Sequence, residues 1–236
     1  MTSLVYQGSE LQLFAAAEQW NRYLAIVLRP YIGGSVLEVG AGLGTTTRAL
    51  HHAGVRQWLC LEPDRTMYAT LVEAAERSAL PSGCAPMLGT IADLAPGDVY
   101  DTVLYVDVLE HIRDDADELA LAGSRLSPAG YLVVLAPAHQ SLYAPFDAAI
   151  GHFRRYDRAG MHAIAPPGLA LVAERYLDAA GMLLSLGNRM LLRRSKPSAL
   201  QIAFWDRFVV PISRLVDPLL AFRVGRSVLA VWQRPR

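Results

Sequence analysis

The chain has only two cysteines, too few for a disulfide framework and wrongly spaced for a zinc cluster. Cys60 lies inside the apolar run Trp58-Leu59-Cys60-Leu61, and Cys84 in the turn-like Pro81-Ser82-Gly83-Cys84. A reducing, cytoplasmic compartment is the expectation. Long uncharged apolar stretches of the kind a membrane span needs are missing, and Met1 to Phe14 does not run from a basic to an apolar segment as a secretory leader would. A soluble or at most peripheral chain is expected. Net charge is missing as well: 22 Lys plus Arg offset 22 Asp plus Glu, so the whole chain has no general attraction for a polyanion. The absence of repeats and low-complexity tracts excludes a solenoid or a flexible polar tail.

What is present is apolar material, 53% of the 236 residues, ample for the core of one large domain. The charges are also unevenly placed. From Gly181 onward ten basic residues (Arg189, Arg193, Arg194, Lys196, Arg207, Arg214, Arg223, Arg226, Arg234 and Arg236) face two acids, Asp206 and Asp217. Such a tail is suited to an anionic partner.

Leu13, Phe14, Ala17, Trp20, Leu24 and Val27 fall at helical spacing, predicting a leading helix over Glu10 to Leu28 that Pro30 and Gly33-Gly34 end. Strands are then predicted at Ser35–Val39, Gln57–Leu61, near Pro86–Leu88, at Thr102–Val106 and at Tyr131–Ala136. Helices between them are predicted at Thr45–His52, Thr66–Ser78 and Asp115–Leu126, with Thr45 or Thr46 capping the first. This alternation argues for an α/β fold with a mostly parallel sheet and helices on both faces. Two more strands follow, Leu171–Leu177 and Arg226–Trp232. Between them, Gly181 to Gly225 carries apolar residues at helical spacing broken by Pro211 and Pro218, which predicts two or three short amphipathic helices. The expected organisation is a single domain over 1–236, with an N-terminal helical lid (1–34), a ligand-binding core (35–180), a helical insertion (181–224) and a last strand (225–236).

The first strand runs from Glu38 into Gly40-Ala41-Gly42-Leu43-Gly44 and then a helix. Glycines there let a ligand approach the backbone, and the helix start offers free N–H groups. The spacing is Gly-x-Gly-x-Gly rather than the Gly-x-Gly-x-x-Gly of dinucleotide folds, which disfavours a pyrophosphate. Glu62 closes the second strand about twenty residues beyond the loop, where a carboxylate accepts from ribose hydroxyls. Loop and acid together point to a nucleoside; each alone is also what an ordinary turn or a solvated strand end would show.

Four segments carry a resemblance: Val36-Leu37-Glu38-Val39-Gly40-Ala41-Gly42-Leu43-Gly44, Leu61-Glu62-Pro63, Tyr105-Val106-Asp107-Val108-Leu109-Glu110-His111-Ile112, and Leu126-Ser127-Pro128-Ala129-Gly130-Tyr131. In this order they resemble the motifs of class I S-adenosylmethionine-dependent methyltransferases, over about Val36 to Ala136. The resemblance implies a Rossmann-like seven-stranded sheet and an enzyme that uses S-adenosyl-L-methionine and releases S-adenosyl-L-homocysteine. It implies cofactor contacts from Glu38, Gly40, Gly42, Glu62, Pro63, Thr90, Ile91 and Asp107: glycines beneath the methionine part, Glu62 on the ribose, Pro63, Thr90 and Ile91 around the adenine, Asp107 near the sulfonium. Many relatives carry an Asp where Thr90 stands; here the nearby acid is Asp93, and whether it takes that place is left open by the resemblance.

Pro137 to Tyr156 follows the fifth strand and is dense in polar and aromatic groups. Its Pro-Ala-His, Tyr, Phe-Asp and Gly-His-x-Arg-Arg-Tyr pattern, with a terminal Gly225-Arg226-Ser227, resembles a bacterial subgroup of these enzymes. A proton acceptor is required only if the methyl acceptor keeps its proton. His139, His152 and Tyr156 are the candidate catalytic groups, and His111, Tyr143, Arg154 and Arg155 the candidate substrate contacts, although bracing of the loop explains the same residues. A metal ion held by His139, Asp147 and His152 matches no recognised spacing, so no metal is expected. The expected acceptor is a small molecule. Nucleic acid is excluded by the lack of an Asn-Pro-Pro-Tyr-like motif after the fourth strand and of a separate basic domain. The basic, apolar C-terminal segment leaves a lid, a homodimer surface or a peripheral membrane contact as its roles. A fold relative that binds without transferring is the reading from another class.

Overall fold

The structure, a computed structural model, describes residues 15–191 and 198–236. The predicted start of the leading helix and Arg193, Arg194 and Lys196 lie outside the described residues. Seven strands form one sheet: β1 (Gly34–Val39), β2 (Val55–Glu62), β3 (Cys84–Leu88), β4 (Tyr100–Val106), β5 (Leu126–Pro137), β6 (Ala170–Leu177) and β7 (Ser227–Gln233). Their order is β3-β2-β1-β4-β5-β7-β6. Pairing is parallel from β3 through β5, while β7 runs antiparallel to both β5 and β6. The chain therefore moves outward from β1 to β3, then crosses back to place β4 on the other side of β1. A crevice opens beyond the carboxyl ends of strands at such a reversal, here between β1 and β4.

The helices are α1 (Glu18–Leu28), α2 (Thr45–Leu50), α3 (Arg65–Glu76), α4 (Asp115–Ser124), α5 (Pro145–Ala149), α6 (Arg158–Ala163), α7 (Ala179–Leu191), α8 (Ala199–Phe204) and α9 (Val210–Leu219). Side chains alternate across the sheet with the period of two that a pleated strand imposes. Val133 and Leu135 of β5 join one core with Trp20, Leu24 and Leu28 of α1. Leu132, Val134 and Ala136 join the other, with Leu119 and Ala122 of α4.

Most element ends shift by one to five residues from the sequence reading, and two differences have a local cause. Gly44, in the left-handed region at φ 70°, caps α2 instead of a threonine. The Asp115 helix stops at Ser124, and Leu126 already belongs to β5, paired with Tyr100. Asp64, unremarked in the sequence, caps α3 by accepting from the N–H groups of Thr66 and Met67.

The insertion before β7 does form helices, and its two acids are what attach it. Asp206, in a π-helical turn (Trp205–Val209) joining α8 to α9, accepts from the N–H groups of Gln19 (3.2 Å) and Trp20 (2.9 Å) at the start of α1. Asp217 of α9 accepts from the Tyr23 hydroxyl (2.6 Å) and from the N–H groups of Asp178 and Ala179. Asp178, fully buried, accepts in turn from Ser213, the Trp205 indole and Arg226. Trp20 and Trp205 pack ring to ring at 5.6 Å.

Candidate active site

The crevice is lined first by the β1–α2 turn. Gly40 and Gly42 take φ of 69° and 55°, which L side chains disfavour. A Cβ on Gly40 would lie 2.6 Å from a Val108 methyl across the crevice, so the β1 and β4 turns close on each other only because this residue is glycine. Gly40 and Ala41 both donate N–H groups to the Leu61 carbonyl.

Glu62, buried at the end of β2, accepts from the Gly42 N–H through one oxygen and the Asp64 N–H through the other, both at 2.8 Å. A carboxylate offers about four lone-pair positions; two are taken and two remain for a diol such as a ribose. Burial raises its pKa, and the two N–H groups oppose that rise. Asp107, at φ 53° just past β4, is solvent-exposed, yet enough protein surrounds it for desolvation to raise its carboxyl, against the pull of His152, Arg226 and Arg155. Both conditions hold together on the wall of a concave site.

Glu38 differs from its expected role. One of its oxygens accepts from the Thr47 hydroxyl and the Trp58 indole N–H (2.8 Å), and burial lifts its pKa to about 7. It ties β1 to α2 and β2 from inside. The Ile91 side chain is also core, so only its backbone is available to a ligand. Pro63 is half-buried and Thr90 exposed. Asp93 accepts from the N–H and hydroxyl of Thr90; it caps its own turn and is held below the usual carboxylate range by those bonds.

The segment after β5 is bonded mostly to itself. Ala138 bridges Tyr156, and the His139 N–H donates to the Tyr156 carbonyl. Asp147, buried, receives a two-point clamp from Arg155 (2.9 and 3.0 Å) and pairs with His152 Nδ1 at 3.0 Å. Arg154 pairs with Asp115 at 2.7 Å and donates to the Arg113 carbonyl. The Tyr143 hydroxyl donates to the His152 carbonyl, and the Tyr156 hydroxyl to Asp115. Burial and that carboxylate push the Tyr156 phenol above its ordinary range, the wrong direction for a base. Arg154, Arg155, Tyr143 and Tyr156 thus brace the loop, the alternative the sequence had left open. His139 stacks on Tyr176 and pairs through Nε2 with the Gly225 carbonyl. It does not join Asp147 and His152 in a donor cluster among the described residues. His152 instead meets His111 edge to face at 4.6 Å and faces Glu110 at 3.7 Å. Burial and His152 lower the His111 pKa to about 4, so the ring is neutral at pH 7.

Residues 13–180 match a family described as a methyltransferase domain. The chain belongs to that family. No curated protein matches it. Among solved structures it is similar to a putative sarcosine dimethylglycine methyltransferase from Galdieria sulphuraria, at 15% identity over 92% of this chain and 86% of that one, TM-score 0.63. It is also similar to the N-methyltransferase NodS from Bradyrhizobium japonicum, solved with S-adenosylhomocysteine, at 15% identity over 98% of both chains, TM-score 0.60. A third is the putative methyltransferase of Haloferax volcanii, in complex with the activator Trm112, at 17% identity over 97% and 95%, TM-score 0.64. At these identities the likeness is one of fold, that of the class I S-adenosylmethionine-dependent methyltransferases.

In this methyltransferase the expected cofactor residues Gly40, Gly42, Glu62 and Asp107 do converge at the sheet reversal. The sequence reading missed Glu110 as a site residue, although it stood inside a quoted motif. Its signal was an acid next to Leu109 and two residues before Ile112, where a core residue would otherwise sit. Asp115, the shared anchor of Arg154 and Tyr156, had no comparable signal, because its partners lie about forty residues away.

Proposed function

We propose that this methyltransferase transfers the methyl group of S-adenosyl-L-methionine to a small-molecule acceptor, a specialised metabolite, by in-line displacement. The observation that carries the reading is the Glu62 carboxylate, fixed by two N–H groups at the carboxyl end of β2 and facing the crevice with two lone pairs unspent. The cofactor supplies an electrophilic methyl on a sulfonium. The chain's part is position: Glu62 for the ribose, Gly40 and Gly42 for close backbone approach, Asp107 for the cationic end. Holding acceptor and methyl at attack distance away from water lowers such a barrier without acid–base help.

Calorimetric titration of S-adenosylmethionine and S-adenosylhomocysteine into wild type and Glu62→Ala tests this. The expected result is micromolar binding weakened at least about tenfold by the substitution, a loss near 1.4 kcal/mol. Glu62→Gln, which keeps the volume and one acceptor, separates lost contact from a collapsed turn. A folded wild type that gives neither heat nor a thermal shift overturns the reading in favour of a binding protein of this fold.

A second reading, an acceptor met at an anionic membrane surface, is favoured by the outer face of the insertion. Leu200, Phe204, Phe208, Ile212, Leu215 and Leu219 are all exposed, Leu200 and Leu219 by more than 80%. They recur at spacings of three and four residues, and the π-turn at Trp205–Val209 takes up an extra residue midway along the run. Asp206 and Asp217, the only acids between Gly181 and Gly225, are both buried, whereas Arg207, Arg214 and Arg223 are exposed. An apolar stripe flanked by positive charge suits an anionic bilayer and disfavours self-association of two such faces. Among the described residues no helix is long and apolar enough to cross a membrane. Flotation with phosphatidylcholine vesicles, with and without phosphatidylglycerol, decides. Binding only to the anionic vesicles, reduced by salt and by Phe204→Ser with Leu215→Ser, is expected; no flotation at low salt removes the reading.

A further inference from the structure

We propose that Glu110, His111 and His152 form a binding site for a divalent transition-metal ion of the zinc or manganese kind. Each residue offers one donor atom, and the three atoms lie within 4.8 Å of one another. Glu110 is fully buried, and neither carboxylate oxygen has a hydrogen-bond partner beyond the residue's own backbone N–H. A buried carboxylate without a partner is costly, and its usual resolutions are a proton, a cationic side chain or a metal ion. Arg155, the arginine that acts on this carboxylate electrostatically, already has its Nε and one terminal nitrogen on Asp147.

The geometry of His152 favours the ion. Its Nδ1 is held by Asp147 at 3.0 Å, leaving Nε2 turned towards Glu110 Oε1 at 3.7 Å. A carboxylate that fixes one ring nitrogen while the other meets a metal is the usual outer support of a histidine ligand. Two ligand atoms each about 2.1 Å from an ion stand about 3.0 to 3.4 Å apart at octahedral to tetrahedral angles. The observed 3.7 Å is therefore a few tenths of an ångström wide, a gap that small side-chain rotations close. Two imidazoles and one carboxylate suit first-row transition ions, and three protein ligands leave positions open for water or a bound molecule. The site lies on the 3₁₀ turn Leu109–His111, two residues past Asp107 at the sheet reversal. It revises the expectation of no metal, and it does so with one histidine from the earlier His139, Asp147, His152 set.

The claim concerns binding of the ion and stands whether or not methyl transfer is found. Chelator-treated full-length chain is titrated with zinc, manganese and magnesium by calorimetry, and with cobalt followed in the visible spectrum. Expected is one equivalent of zinc or manganese bound well above magnesium, a cobalt spectrum with nitrogen ligands, and a rise in melting temperature with the ion. Glu110→Gln and His111→Gln should each weaken binding at least about tenfold and abolish the thermal rise, while His51→Gln with His52→Gln changes neither. Glu110→Gln replaces a buried acid by a neutral side chain of the same volume, so its metal-free melting temperature should not fall; if that variant fails to fold, His111→Gln carries the test. A folded wild type with no stoichiometric binding overturns the site, as does binding that both cluster variants leave intact. S-adenosylhomocysteine titrated into the same samples reads the cofactor proposal separately.

Discussion

Glu38 gives a pH dependence whose sign runs against the usual behaviour of a folded carboxylate. Its pKa in the folded chain is about 7 against an ordinary 4.5, because burial disfavours the charge more than Thr47 and Trp58 support it. Between those values the folded chain holds a proton that the unfolded chain has released. The folded state then binds more protons, so stability falls as pH rises and levels off above 7. With 1.36 kcal/mol per pH step, the fall from pH 5 to pH 8.5 is about 2.5 kcal/mol. Both bonds to Glu38 end on the same oxygen, so the amide oxygen of Glu38→Gln can accept both and nothing titrates. Urea unfolding of cofactor-free wild type and variant across this range reports on the group, since titrations of residues that do not interact with Glu38 cancel in the difference. The variant should gain on wild type steadily with pH and melt about 5 to 10 °C higher at pH 8.5. Parallel pH profiles, or a variant weaker than wild type at pH 8.5, would refute the reasoning.

Gly40→Ala should cost about 1 to 2 kcal/mol from the left-handed backbone alone. The new contact with Val108 should also shift the β4 turn enough to weaken cofactor binding at least about tenfold by calorimetry. Asp206→Ala frees the Gln19 and Trp20 N–H groups and should lower stability in urea by about 1 to 2 kcal/mol, with a smaller effect on cofactor affinity than Glu62→Ala because the Gly42 and Asp64 N–H groups that fix Glu62 are untouched. Tyr156→Phe removes one of the donors to Asp115 and should cost about 1 to 3 kcal/mol; a loss below about 0.3 kcal/mol would show that Arg154 and the Ala116 N–H satisfy that carboxylate.

The parts of this fold that follow short periods were legible. The strand and helix alternation, the turn after β1 and the helices of the insertion all come from patterns a few residues long, and the structure repeats them. The structure departs where a distant partner decides. Glu38 reads as a cofactor contact at the end of a strand, but Trp58, twenty residues on, turns it inward. The Arg154-Arg155-Tyr156 run reads as a reactive cluster until Asp115 and Asp147 are seen to take up its donors. Asp206 and Asp217 read as minority charges in a basic tail, yet they hold the insertion to α1 and β6 and leave its surface positive. Charge content was visible in each case; the direction in which the charge faces was not.

Sulfonium chemistry makes that inward bonding useful. An in-line methyl transfer needs a fixed distance and line of approach more than it needs a proton acceptor. A loop whose cations and phenols are matched by Asp115 and Asp147 gives a wall with few side chains free to rearrange. The polar capacity left at the sheet reversal, among the described residues, is then short: two lone pairs on Glu62, the open carboxylate of Asp107 and the unmet oxygens of Glu110. Glu62 is suited to a ribose and Asp107 to a cation. Glu110 lies too deep for bulk solvent, and its neighbours His111 and His152 share the same turn of space. What neutralises Glu110, a proton or an ion, therefore sets the charge that Asp107 meets at the sheet reversal.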